Sequence, residues 1–256
     1  MIRMAFLQER GNGRMETEIR SLHETFQARN IPVELFMEKR LLRRQLPLAK
    51  DTLVAGYIPV VLAALRQLEI ELPIPNDYPA CLEPLLHRRI WRSTVGQVSD
   101  GLYESARPLF VKPEGRLKRF TGHVFASPDD IRFLQGTSRS ASVFCSEVVE
   151  WLSEYRVFVI HGKIVGIQHY AGEPSVPVDG AVVTDAVRIL QQSGQALSAY
   201  GIDFGVLRDG KTALVELNDG FSLGSYGLDD ALYTDLIVTR WREMTRGAGS
   251  ENMPHP

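Results

Sequence analysis

The sequence has little of what marks a secreted or membrane-bound protein. It contains only two cysteines in 256 residues, Cys81 and Cys145, and they lie too far apart to form a paired metal-ligand motif. We therefore expect reduced, buried thiols and a cytoplasmic location. The longest apolar run, residues 53–65, is interrupted by Pro59 and is shorter than the roughly 20 residues that a membrane-spanning helix needs. Residues 1–6 predict a strand and not a signal peptide, so no membrane partner is expected.

Several catalytic and binding signatures are also missing. The net charge is −2 and no basic run occurs, which argues against nucleic acid as a partner. There is no G-x-S-x-G motif, and the six histidines form no H-x-x-x-H pair, so neither a serine hydrolase nor a zinc site is predicted. Asp203-Phe204-Gly205 matches the metal-binding motif of protein kinases, but no H-R-D or A-P-E motif accompanies it. The kinase class is therefore not predicted.

The hydrophobic pattern divides the chain into two units and a tail. Residues 1–81 predict a small α/β domain, in which strands that alternate with helices favour a parallel sheet. Residues 82–245 predict a mostly antiparallel α+β domain. Residues 246–256 have no periodicity and predict a flexible tail. The strands are expected at 3–7, 31–36, 52–55, 109–112, 122–125, 143–149, 155–160, 164–170, 199–206 and 213–217, and the helices at 14–29, 59–68, 85–95, 128–134 and 179–193.

The strongest chemical pattern lies in residues 202–226. Two apolar runs flank the turn sequence R-D-G-K at 208–211, which predicts a β-hairpin. Asp203 would lie on the first strand, and Glu216 and Asn218 would share one face of the second strand, because side chains alternate along a strand. Oxygen ligands of this kind suit Mg²⁺. For any one of the three residues alone, a polar strand edge facing solvent is the alternative.

Four other segments are compatible with a phosphate or nucleotide site. The strand F-V-K-P ends in Lys112, and Lys118 lies in a basic loop that ends in glycine, as would suit phosphate binding. Glu147 stands at the end of a strand where it could meet an adenine and ribose. Glu154 and Arg156 are two residues apart and share a strand face. The alternatives are solvated side chains or, for the last two residues, a cross-strand ion pair.

Taken in order, these segments resemble the ATP-grasp superfamily over roughly residues 82–245. The sequences F-V-K-P, S-E-Y-R-V-F-V, D-F-G-V and V-E-L-N-D-G-F-S-L-G resemble one clade, named for two arginines and a lysine and assigned as ATP-dependent carboxylate–amine ligases. The resemblance implies an α+β ATP-grasp fold, with mostly antiparallel sheets and helices, preceded by a small α/β pre-ATP-grasp domain. Lys112 and Arg156 match the clade's pattern, and Arg89 and Arg240 are candidates for the second arginine.

The resemblance also implies a role for each candidate residue. ATP phosphates would contact Lys112 and Lys118, and Mg²⁺ would be held by the hairpin's polar triad. Arg156, with Lys112, would act on a phosphate or on the acyl-phosphate intermediate. The remaining implied contacts are adenine with Glu147 and with the backbone of Val148 and Val149, ribose with Glu154, and Mg²⁺ with Asp203, Glu216 and Asn218.

The implied function is an ATP- and Mg²⁺-dependent ligase that activates a carboxylate as an acyl phosphate for attack by an amine. The carboxylate would belong to a small molecule or a peptide, and the amine to an amino acid, a peptide or a protein terminus. A homodimer is an open alternative to a monomer. Gly201 departs from the pattern, because many ligases of the fold carry an arginine at this position. This departure keeps open a non-catalytic module that binds ATP and Mg²⁺ and regulates a partner.

Overall fold

The N-terminal unit is built on a parallel sheet, as predicted. The computed structural model describes residues 2–104, 107–115 and 120–246. The sheet has the order β2-β1-β3, and all its neighbouring strands run parallel. Its central strand is buried, as expected for a strand covered by helices on both faces. The elements of this unit are β1 (Met4–Gln8), α1 (Thr17–Ala28), β2 (Val33–Phe36), α2 (Glu38–Leu42), β3 (Thr52–Ala55) and α3 (Ile58–Gln67).

A second sheet follows, with antiparallel strands in the order β4-β7-β5-β6. The helix predicted over residues 85–95 is wrong. A short 3-10 helix covers Ala80–Leu85, and an edge strand begins at Ile90. Pro84 lacks the backbone donor that an α-helix needs, and pairing with β7 satisfies the extended backbone beyond it. The elements are β4 (Ile90–Thr94), α4 (Val95–Glu104), β5 (Leu109–Pro113), β6 (His123–Phe125) and β7 (Ser142–Glu147), with a 3-10 helix at Pro128–Leu134.

The third sheet contains the predicted hairpin. Its antiparallel order is β11-β10-β8-β9, and β10 is buried at all nine positions. Gly210 has a φ of +83° in the turn, a conformation that glycine adopts without steric cost. The elements are β8 (Trp151–Ile160), β9 (Lys163–Gly172), α5 (Gly180–Gln192), β10 (Ala199–Leu207), β11 (Thr212–Asp219) and α6 (Asp230–Arg246).

Helix α6 packs on the core of the N-terminal unit, although it comes last in the chain. Trp241 is 1% exposed and donates a hydrogen bond from Nε1 to the carbonyl oxygen of Thr52 over 2.7 Å. The domain boundaries at 81/82 and 245/246 stay a prediction, and the tail predicted over 246–256 lies, apart from Arg246, outside the described residues. Within the described ranges, no helix is both long and apolar enough to cross a membrane.

Candidate active site

Strand pairing brings four of the predicted side chains onto one face of the third sheet. Asp203 lies opposite Arg156 of β8 and opposite Glu216 of β11, and Gly201 lies opposite Asn218. The guanidinium of Arg156 donates from Nε and Nη2 to the two carboxylate oxygens of Asp203 over 2.8 and 2.7 Å. The amide of Asn218 donates to the same carboxylate over 3.1 Å. The result is a buried, bidentate ion pair at the centre of the site.

Burial and charge set the protonation of this pair. Arg156 is 6% exposed and Asp203 only 2%. Burial lowers the pKa of Arg156, but the hydrogen bonds and charge of Asp203 outweigh it and hold that pKa above its ordinary value. Burial raises the pKa of Asp203, with an added contribution from Glu216, and Arg156 opposes the rise. The arginine therefore offsets the cost of burying a carboxylate here.

Lys112 reaches the cluster from the neighbouring sheet. It stands near the end of β5, and its Nζ lies 2.6 Å from an oxygen of Glu216 and 2.8 Å from an oxygen of Asp77. The ammonium also lies 4.4 Å from the ring centroid of Tyr78, within cation–π range. Burial lowers the pKa of Lys112, but the charges of these neighbours outweigh it, so the pKa is raised and the lysine stays charged.

Glu154 lies on the same strand face as Arg156, as predicted, but the two side chains do not pair. Its carboxylate accepts a hydrogen bond from the hydroxyl of Tyr170 over 3.0 Å. Burial raises the pKa of Glu154, and the charges of Asp203 and Glu216 add to the rise. Tyr170 in turn stacks on Tyr226 with ring centroids 4.9 Å apart. The alternative of a cross-strand ion pair is what Arg156 forms, with Asp203 of β10, whereas Glu154 binds the hydroxyl of Tyr170.

The polar triad of the hairpin fits a hard cation by its donor chemistry. Asp203, Glu216 and Asn218 offer carboxylate and amide oxygens, and the charge of Glu216 raises the pKa of Asp203. Two carboxylates that repel one another gain from a divalent cation between them. Among the residues that the structure describes, no three His, Cys, Asp or Glu side chains form a metal-binding group. The third donor would therefore be the amide of Asn218.

A cavity of about 330 Å³ opens on Lys112, Glu216 and Asn218. The connector residues 73–77 form one wall, and residues 120–122 form another. The connector is fixed in place, because the carbonyl oxygen of Asp77 accepts a hydrogen bond from the backbone of Leu217 over 2.8 Å. Lys118 lies outside the described residues.

The predicted adenine contacts lie at the junction of the second and third sheets. Glu147 ends β7, and its carboxylate accepts a hydrogen bond from the backbone of Arg89 over 2.9 Å. Val148 and Val149 follow between β7 and β8, and the Val148 side chain is 42% exposed. The junction is thus open to solvent, and Glu147 has a partner that sequence reasoning did not find.

Sequence reasoning missed Arg88. Its guanidinium donates to the carbonyl oxygens of Leu214 and Val215 over 2.7 and 3.0 Å, beside the charges of Glu154 and Glu216. Burial lowers the pKa of Arg88. The signal in the sequence is the adjacent pair Arg88-Arg89, in which Arg89 is a candidate for the clade's second arginine.

The two candidate arginines, Arg89 and Arg240, make other contacts. Arg89 lies over the ring of Trp91, 4.6 Å from its centroid, and Arg240 pairs with Asp219 over 2.6 and 2.7 Å. Asp77 was missed as well, because it belongs to the connector and is distant in sequence from every strand of the site.

Gly201 has a packing role beneath Arg156. A Cβ atom at this position would lie 3.2 Å from Cδ of Arg156 and 3.4 Å from its Nε. Contacts this close require the neighbouring group to move, so a side chain here would make the arginine shift by a few tenths of an ångström. The glycine leaves room for the arginine of the neighbouring strand.

Comparison with known proteins identifies the fold. Among solved structures, N5-carboxyaminoimidazole synthase from Aspergillus clavatus, in complex with ADP, matches with a TM-score of 0.57 at 14% identity, over 95% of this chain and 80% of that chain. An ATP-grasp RimK-domain protein from Sphaerobacter thermophilus matches with a TM-score of 0.53 at 16% identity, over 91% and 98%. The ATP-grasp ligase PsnB, complexed with Mg, ADP and a phosphomimetic precursor variant, matches with a TM-score of 0.52 at 12% identity, over 94% and 100%.

At this level of identity the three structures show the fold, which is the predicted α+β ATP-grasp architecture. A search of curated proteins gave no match. A family model matches residues 85–236, which is more than half of the chain, and it describes an ATP-grasp domain of the second family in the clade named for two arginines and a lysine. The chain therefore belongs to this clade of the ATP-grasp superfamily of ATP-dependent ligases.

Proposed function

We propose that this protein is an ATP- and Mg²⁺-dependent carboxylate–amine ligase. The observation that carries the proposal is the cluster of two buried cations and two carboxylates, of which Lys112 and Glu216 line the 330 Å³ cavity. Lys112 contacts Glu216 over 2.6 Å, and Arg156 contacts Asp203 over 2.7 Å. Phosphoryl transfer requires positive charge held in place where negative charge develops, and this cluster offers it.

The nucleotide would occupy the space between the second and third sheets. Lys112, together with Lys118, would bind the phosphates, since an ammonium binds phosphate as a point charge. The adenine would lie against Glu147 and the backbone of Val148 and Val149, and Glu154 would bind the ribose. The bound ADP in two of the similar structures supports a nucleotide site in this fold.

Mg²⁺ would be held by Asp203, Glu216 and Asn218, and when bound it would neutralise charge on the phosphates. Lys112 and Arg156 contact these two carboxylates, and Lys112 also contacts Asp77 over 2.8 Å, so three carboxylates share two cations and a divalent cation would supply the missing positive charge. Nε and Nη2 of Arg156 bond to Asp203, so Nη1 is the donor that would reach a phosphoryl oxygen.

The proposed reaction has two steps. A carboxylate oxygen attacks the γ-phosphorus of ATP, the bond to the bridging oxygen breaks, and ADP leaves with its electron pair. The amine nitrogen then attacks the carbonyl carbon of the acyl phosphate, the carbon–oxygen bond breaks, inorganic phosphate leaves, and the amine releases its proton to solvent. The protein binds, orients and neutralises charge in both steps.

Thermal melting tests the nucleotide site first. ATP, ADP and GTP are each added with and without Mg²⁺. A ligand at about 100 times its Kd adds about 2.7 kcal/mol to the free energy of unfolding, which corresponds to several degrees in Tm for a chain of this size. We expect a Mg²⁺-dependent increase with the adenine nucleotides. An unchanged Tm with all three nucleotides would contradict the proposal.

Turnover separates a ligase from a regulatory module. ADP release is measured with a mixed pool of carboxylates and amines, and we expect it to depend on both. We expect Glu216→Ala to abolish it, whereas Glu150→Ala, which removes a carboxylate that is 57% exposed, should leave it unchanged. Nucleotide binding without ADP release in any pool would favour the non-catalytic module.

A further inference from the structure

A second, larger cavity lies at the carboxyl ends of the parallel strands. Its volume is about 630 Å³, and it is lined by residues that directly follow β1 and β3, including Glu9 and Tyr57, and by Glu38 at the start of α2. In open α/β sheets, ligands bind outside the carboxyl ends of the strands. A volume of about 300–1,000 Å³ is typical of a small-molecule site.

This cavity adjoins the proposed active site. Ile58, Phe221 and Ser222 line both cavities. The loop that carries Phe221 and Ser222 follows β11, the strand that carries Glu216 and Asn218. The loop is tied to the N-terminal unit, because Ser222 Oγ donates to the carbonyl oxygen of Gly56 over 2.9 Å. A ligand in the larger cavity would therefore lie next to the proposed active site, with the three shared residues between the two cavities.

The charged groups of the cavity are mostly acidic. Its lining contains four carboxylates and one cation, Arg10, and Arg10 forms an ion pair with Glu16. Within the described ranges, no lysine or arginine of the cavity lining is left to balance the other three carboxylates, which are those of Glu9, Glu18 and Glu38. The cavity therefore keeps an excess of negative charge.

Two of these carboxylates are held by backbone donors. The carboxylate of Glu9 accepts a hydrogen bond from the backbone amide of Gly13, which lies four residues later in the loop after β1. This hydrogen bond fixes the position of the Glu9 carboxylate. Glu18 lies in the first turn of α1, where the helix dipole favours an anion, and it accepts a bond from the amide of Ser225 over 3.3 Å. The carboxylates are thus placed before any ligand binds, and an anionic ligand would meet like charge.

Most of the rest of the lining is apolar. Ile19, Leu22, Val60 and Ile237 contribute side chains from three helices, and Leu223 contributes one from the loop. An apolar body would lose water against these side chains, and a charged end would meet the carboxylates.

We infer that the larger cavity binds a substrate with a positively charged amine or guanidinium group on an apolar body. That this substrate is the amine acceptor rests on the proposed ligase function, and a bound ammonium would first release one proton to solvent so that its nitrogen can attack the acyl phosphate. The binding chemistry itself depends only on this cavity.

Direct binding to the full chain tests the inference without ATP. The probes are 3-phenylpropylamine, 3-phenylpropanol and 3-phenylpropionate, which share a skeleton and differ in charge. Their affinities are measured by NMR titration of the labelled protein. We expect the amine to bind at least about tenfold more tightly than the other two, as a charge-assisted hydrogen bond predicts. Equal or weaker binding of the amine would overturn the inference.

A matched pair of variants assigns the binding to the cavity. Glu18→Gln keeps an acceptor for the amide of Ser225 and removes the charge, so the preference for the amine should fall by about tenfold. Glu24→Gln makes the same change at an exposed position of α1 and should leave the preference intact. Loss of the preference in both variants, or in neither, would overturn the assignment.

The nucleotide melting test distinguishes this inference from the proposed function. Glu18→Gln should keep the Mg²⁺-dependent increase in Tm with ATP, because Glu18 does not line the 330 Å³ cavity that opens on Lys112 and Glu216. Amine binding without any nucleotide effect would refute the ligase and retain the cation site. A nucleotide effect without a preference for the amine would refute the cation site and retain the ligase.

Discussion

Arg156→Met should destabilise the folded protein strongly, even without nucleotide. The substitution keeps an unbranched apolar stem but removes both charge-assisted hydrogen bonds to Asp203, which is only 2% exposed. Asp203 would retain the bond from Asn218 alone. Breaking a buried ion pair from one side costs about 3–5 kcal/mol, because it leaves a buried charge without compensation. For a chain of this size the cost corresponds to a fall in Tm of roughly 6–20 °C.

The assay is thermal unfolding followed by circular dichroism and calorimetry, with no ligand present. Arg188→Met is the matched control, since Arg188 pairs with Asp185 over 3.0 Å while both side chains are more than half exposed. An exposed pair contributes about 0–1 kcal/mol, so the control should change Tm by only a few degrees. Equal falls in Tm for the two variants would refute the reasoning.

The double variant Arg156→Met/Asp203→Asn tests whether the cost comes from the unpaired charge. In this variant the amide that replaces the Asp203 carboxylate can still accept the hydrogen bond from Asn218. Neither position of the former ion pair then carries a charge. We expect the double variant to lose less stability than the sum of the two single variants, because the two residues share one interaction. Additive losses would show that the two side chains stabilise the fold independently.

Three further expectations follow from the site and the loops. Lys112→Ala should weaken ATP binding by about tenfold to a hundredfold even without Mg²⁺, and an unchanged affinity in calorimetry would return Lys112 to a structural role. Burial raises the pKa of Cys145 to about 11, so a thiol reagent at neutral pH should modify half-buried Cys81 first and reach Cys145 only on unfolding. Gly220→Ala would bring a Cβ atom to 2.3 Å from a backbone oxygen and should cost about 1–3 kcal/mol in urea unfolding. Gly101→Ala has open space around it and lies inside α4, so it should instead stabilise the protein by roughly 0.5–1 kcal/mol.

The hairpin could be predicted from the sequence because its signals are local. The turn at 208–211 sets the pairing of β10 with β11, and strand alternation then places Glu216 and Asn218 on one face. The parallel sheet of the N-terminal unit followed from strands that alternate with helices. These features depend on residues close together in the chain.

The rest of the site depends on contacts between distant segments. Asp203 is 47 residues from Arg156, and its pairing was accessible only from the register of β8 against β10. Lys112 is 104 residues from Glu216 and belongs to another sheet. The wrong helix at 85–95 has the same origin. Leu86 and Ile90 are spaced as on a helix face, but they pack on one core from the residue after a 3-10 helix and from a strand. Periodicity alone does not distinguish these cases.

The packing of α6 also bears on the order in which the protein can fold during synthesis. The core of the N-terminal unit includes Leu236, Ile237 and Trp241, which the ribosome adds near the end of the chain. At about 5–20 residues per second, on the order of ten seconds pass between completion of β3 and the arrival of this helix. Until then the parallel sheet of the N-terminal unit exposes the apolar surface that α6 will cover. During this interval a chaperone could bind that exposed apolar surface.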